Sequence, residues 1–87
     1  MSATFSLVTE LSLQEQVSTL QFGKAPKYEL QELAAHLALT APGRIEFCKK
    51  QLAVLGQDAE FYNYWKDTRR LWEKAERLSD PSYNLYL

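Results

Sequence analysis

The sequence predicts an all-α domain: four short helices packed as an irregular bundle, small enough to gain core by pairing with a second copy. Three observations support this. Apolar residues recur at three- and four-residue steps along most of the chain. Helix-starting and helix-stopping residues punctuate those stretches. The one period-two alternation, at Phe5, Leu7, Thr9 and Leu11, has no second strand to pair with, so residues 1–10 are expected to be extended or frayed.

The first helix is expected from Leu13 to Phe22. Ser12 and Glu15 have the spacing of a capping box, in which each side chain satisfies an orphan amide of the helix start. Leu13, Val17 and Leu20 form a narrow apolar stripe. Gly23 can adopt the left-handed stop, and Pro26 prevents resumption. A second helix is expected over 27–39, with Leu30, Leu33, Ala34 and Leu37 on one face and Glu29 favouring its N-terminus. Thr40 then reads as an N-cap and Pro42 as a first-turn residue. A third helix is therefore expected from Ala41 to Leu55, with the stripe Ala41, Ile45, Cys48, Leu52 and Leu55. Gly56 ends it.

The fourth helix is expected to be capped by Asp58 and to end at Asp80-Pro81. Phe61, Tyr64, Trp65, Leu71, Trp72, Ala75 and Leu78 form its broad apolar face. Leu52 and Trp72 are expected in the core. Residues 82–87 remain as an aromatic tail.

With 87 residues, the chain is a single domain. Ten basic residues against eleven acidic ones leave a net charge of −1. That balance weighs against nucleic acid as a partner, because phosphate neutralisation calls for a basic excess. No apolar window approaches a membrane span, and no basic leader precedes an apolar run. One cysteine excludes a disulfide framework and suggests a reducing, cytoplasmic setting.

Enzyme chemistry is poorly supplied. Cys48 falls on an apolar stripe and reads as core, whereas a nucleophilic thiol needs an exposed, electropositive setting. His36 lies beside the stripe and reads as a flank residue. The carboxylate pairs Glu29/Glu32 and Glu73/Glu76 share helix faces with nothing to raise their pKa. There is no phosphate-cradling glycine loop. No enzyme activity, cofactor or metal is expected.

Two stretches resemble known families. Leu33-Ala34, Leu37, Leu39, Thr40 and Ile45 resemble a helix-turn-helix, which would make residues 30–55 a small DNA-binding regulator. Ala38 stands at the usual turn glycine, Arg44 where an aliphatic is wanted, and Ile45 one residue late. Leu11-Ser12-Leu13-Gln14-Glu15-Gln16, Phe22, Gln31-Glu32-Leu33 and Arg44 resemble the small cyanobacterial phycobilisome-degradation adaptors. That resemblance implies a dimerising helical hairpin that brings a pigment protein to a protease partner. It requires a gap of about one helical turn. The chain departs from it at Pro42-Gly43 and in its long C-terminal segment.

The aromatics indicate another protein as partner. Six of the eleven lie between residues 61 and 83, and Tyr86 follows. Tyr and Trp dominate interface hot spots because they bury area with few rotors and keep a polar tip. Tyr62, Tyr83 and Tyr86 are the candidate partner-binding aromatics, with Lys66, Arg69 and Arg70 as a basic patch for an acidic partner. The expected function is a non-enzymatic adaptor or regulatory protein that self-associates through its C-terminal aromatic segment.

Overall fold

The computed structural model describes residues 11–87. The extended segment expected over 1–10 lies outside the described residues. Three helices form among the described residues: α1 (Leu13–Phe22), α2 (Lys27–Val54) and α3 (Tyr62–Leu78). Helix makes up 71% of the structure, and no strand occurs among the described residues. The all-α class therefore holds, but among the described residues the helix count is three, not four.

α1 follows the local code. The Glu15 N–H donates to Ser12 Oγ at 3.2 Å, and the Ser12 N–H donates to Glu15 Oε1 at 3.0 Å. Two amides that the helix start leaves orphaned are thus satisfied. Gly23 closes the helix at φ 61°, in the left-handed region.

The expected break at residue 40 does not occur. Leu37, Ala41, Ile45 and Cys48 are all buried and step by four, four and three, so the two expected stripes are one stripe in one register. Thr40 is not a cap: its hydroxyl donates back to the His36 carbonyl at 3.0 Å. Pro42 lacks the N–H that would bond the Ala38 carbonyl, and its ring crowds that carbonyl, at a typical cost of about 3 kcal/mol. Pro42 and Ala38 both lie on the exposed face, where water can serve the carbonyl. Burial of one side chain such as Ile45 returns roughly 1.5–3 kcal/mol, and several depend on continuity. Replacing Pro42 by Ala restores the hydrogen bond and removes the crowding. Pro42→Ala is therefore expected to stabilise the protein by roughly 1–3 kcal/mol in urea titration. A loss of stability would show that the proline is needed for the helix path.

α3 also starts later than expected. Gly56–Phe61 forms turns, with the Ala59 N–H donating to the Gly56 carbonyl at 2.9 Å and the Tyr62 N–H to the Ala59 carbonyl at 3.1 Å. These residues reverse the chain after α2, so Asp58 does not cap a helix. Phe61 holds the N-cap position without a side-chain bond.

The core sits at one end. Val17 and Leu20 of α1 meet Leu30, Leu33, Ala34 and Leu37 of α2 and Ala75 and Leu78 of α3. The ten residues of α1 span about 15 Å, whereas α2 spans about 42 Å. α1 therefore covers only the proximal part of the α2–α3 hairpin. Beyond it the hairpin continues as a two-helix arm. This is why Leu52, expected in the core, is only half-buried; Trp72, also expected there, is half-buried too. Trp72 packs at the core margin.

The C-terminal tail folds back on its own domain. Asn84 is buried, and its Nδ2 donates to the carbonyls of Leu20 and Leu78, each at 3.0 Å. Leu87 packs against the core, and its carbonyl accepts from Gln31 Nε2 at 3.1 Å. The turn at Asp80 is braced by the Ser82 N–H and hydroxyl, at 2.9 and 2.7 Å. These two donors hold the Asp80 carboxyl below its usual pKa.

Candidate partner-binding surface

The arm presents two flanks, built by the outward positions of α2 and α3. On one, Phe47, Tyr64 and Trp65 form an aromatic ridge. Phe47 and Trp65 meet edge to face at a centroid separation of 5.5 Å, and Tyr64 and Trp65 do so at 5.2 Å. Nearby the Arg44 guanidinium lies 6.0 Å from the Trp72 ring centroid, a cation–π geometry. Phe47, Tyr64 and Phe61 are 48%, 59% and 58% exposed. The breadth of the apolar face of α3 reads in sequence as core, but Phe61 and Tyr64 lie beyond the reach of α1.

On the other flank, Leu52, Tyr62, Lys66, Arg69, Arg70 and Glu73 line a hollow. Tyr64 and Lys66 are two residues apart, so their side chains diverge by about 200° and the ridge and hollow face different ways. Arg69 Nε donates to Glu73 Oε2 at 3.1 Å, with both side chains nearly 40% exposed, so this ion pair adds little stability. It is the only ion pair among the described residues. Lys66 and Arg70 make no ion pair and give the hollow its positive charge, with Asp67 beside Arg70 in the adjoining hollow.

Four of the six residues expected to bind a partner, Tyr62, Lys66, Arg69 and Arg70, are brought together in this hollow. Tyr83 and Tyr86 are not. They line a separate hollow with Lys74, Arg77 and Asn84. The Arg77 guanidinium lies 5.9 Å from the Tyr83 ring centroid, and Tyr86 lies over Gly23. Both rings keep about half their surface exposed while the segment carrying them is tied to α1 and α3. Phe47 is the aromatic that sequence reasoning passes over. Its signal is adjacency: it sits one position off the stripe between Ile45 and Cys48, which places it at the edge of the buried face.

Cys48 is 2% exposed. Burial pushes its thiol pKa up, against a smaller opposing pull from Arg69 and Arg44. A thiol held protonated is a poor nucleophile. His36 is exposed on α2. Among the described residues no group of three or more His, Cys, Asp or Glu side chains could hold a metal ion, and no helix is long and apolar enough to cross a membrane. Residues 30–54 lie inside a single helix, so the turn that a helix-turn-helix requires between its two helices is not formed. Comparison with protein-family models, with curated proteins and with solved structures matches none of them to this chain.

Proposed function

We propose that this chain is a small non-enzymatic adaptor that holds another protein on its α2–α3 arm, in a cytoplasmic setting. The supporting observation is the aromatic ridge of Phe47, Tyr64 and Trp65, continued by Phe61. Large aromatic side chains are held half-exposed on regular helices, with the Arg44 guanidinium over the Trp72 ring nearby. Clustered exposed apolar surface on a small domain marks an interaction site. Rings already fixed by edge-to-face neighbours lose little further entropy when a partner covers them.

The variant Phe47→Ser/Phe61→Ser/Tyr64→Ser tests this reading. All three side chains are solvent-facing, so the circular dichroism spectrum should stay helical. A benzophenone cross-linker placed at Asn63 should capture a specific protein in the native host, and the triple variant should reduce that capture at least tenfold. Undiminished capture would reject the arm as the docking surface.

One observation favours a more specific version, an adaptor of the phycobilisome-degradation type. Pro42-Gly43 is the internal departure from that resemblance, and α2 runs through it without a break. The long-helix hairpin that the resemblance implies is therefore available to this chain. The captured protein would then be a pigment-bearing phycobiliprotein, identifiable by its visible absorption. A colourless captured protein would reject this version and leave the adaptor reading standing.

A further inference from the structure

The arm carries two features of opposite charge that suit one another. The hollow holds Lys66, Arg69 and Arg70 against the single carboxylate of Glu73, a local charge of +2. The Gly56–Glu60 loop at the arm's tip holds Asp58 and Glu60 and no basic residue, a local charge of −2. Both acidic side chains are exposed. The loop is braced by its turn hydrogen bonds, so it presents them from a fixed shape. Apolar surface flanks the loop at Val54, 78% exposed, and Phe61, while Leu52 and Tyr62 give the hollow an apolar wall. The hollow spans about three turns of α3, from Tyr62 to Glu73, roughly 17 Å, starting next to the loop.

We propose that the hollow of one chain receives the acidic loop of a second copy, with the two arms lying antiparallel about a two-fold axis. Parallel arms would set loop against loop and hollow against hollow, opposing like charges. Antiparallel arms place each loop on the other's hollow, so the same contact forms twice and the assembly closes. A head-to-tail arrangement would leave one loop and one hollow open at the ends. The expectation of self-association through the C-terminal tail thereby moves to the arm, since the tail's main anchors are occupied by its own domain. The proposal rests on the arm being an interaction surface, and it leaves the aromatic ridge on the other flank available.

Sedimentation of the full chain at increasing concentration tests it. A dimer should form at about 100 μM, and its affinity should fall at least tenfold between about 50 and 500 mM salt, because exposed charges are screened. Two charge-reversal variants give the specific readout. Lys66→Glu/Arg70→Glu makes the hollow acidic, and Asp58→Lys/Glu60→Lys makes the loop basic. All four positions are exposed or half-buried, and circular dichroism should confirm that both variants fold. Each alone should be monomeric, because its loop and hollow now carry like charge. Mixed in equal amounts, they should form a one-to-one heterodimer, since both contacts regain opposite charges. Tyr83→Ala should leave the dimer intact. A monomeric wild-type chain, a dimer in either variant alone, or a monomeric mixture would each overturn the proposal. Loss of the dimer in Tyr83→Ala would assign self-association to the tail instead. A monomeric wild type that still captures another protein through the ridge would sink only the second-copy occupant, not the adaptor reading.

Discussion

Leu33→Ala should remove roughly 2–5 kcal/mol of stability and leave the protein substantially unfolded at 37 °C. Leu33 has no exposed surface and lies in the cluster where α1, α2 and α3 all meet. The substitution deletes buried methyl groups and leaves a cavity that three helices cannot close together. A domain of this size has a total stability of roughly 4–13 kcal/mol, so one truncation removes a large share of it. Leu39→Ala is the matched control on the same helix. Leu39 is 82% exposed, and its truncation should change stability by no more than about 0.5 kcal/mol. Leu52→Ala should fall between the two, because Leu52 is half-buried on the arm. Urea titration of the three variants checks this order. A cost below about 1 kcal/mol for Leu33→Ala would mean that the three-helix end is not the core.

Local chemistry was readable wherever it acted locally. The capping box at Ser12 and Glu15 and the glycine stop at Gly23 form as their sequence pattern says. The apolar stripes hold from Val17 to Cys48, where Val17, Leu20, Leu30, Leu33, Ala34, Leu37, Ala41, Ile45 and Cys48 are all buried, but not at Leu52, Leu55, Phe61 or Tyr64. Where two signals compete, the outcome depends on packing that the local pattern does not contain. At Pro42 a strong local rule, that proline stops helices, competes with a register running without a slip from Leu30 to Cys48. The register prevails because α3 packs across the join and makes continuity worth more than one hydrogen bond. At Phe61 and Tyr64 the helical face was read correctly but its cover was not. An apolar face is buried only as far as its neighbours reach, and α1 stops after ten residues. For the candidate site, the cluster of Tyr62, Lys66, Arg69 and Arg70 was legible because all four lie within nine positions of one helix. The role of Asn84 was not legible. Its value lies in two carbonyls, and one of them, on Leu20, is 64 residues away in the chain.

Gly23→Ala should cost roughly 2–4 kcal/mol, far more than a surface alanine, through two separable causes. The first is conformational. Gly23 closes α1 at φ 61°, and an L-residue held there costs roughly 1–2 kcal/mol. The second is steric. A Cβ at this position would lie 2.6 Å from Cδ1 and 2.7 Å from Cε1 of Tyr86, closer than carbon atoms can approach. The ring is half-exposed and can swing outward, but its backbone amide is bonded to Asn84 Oδ1. Moving Tyr86 therefore strains the Asn84 clasp, and leaving the Leu20 and Leu78 carbonyls buried without their donor costs roughly 1–3 kcal/mol. Tyr86→Ala removes the obstructing ring and separates the two causes. In that background Gly23→Ala should cost only the conformational part, roughly 1–2 kcal/mol. The double-mutant cycle should then return a coupling of about 1–2 kcal/mol between two residues 63 positions apart. Limited proteolysis supplies an independent readout, because Gly23→Ala should expose the 80–87 segment to cleavage while the three helices persist. A coupling near zero would mean that the tail does not rest on Gly23, and the aromatic tail would again be available to a partner.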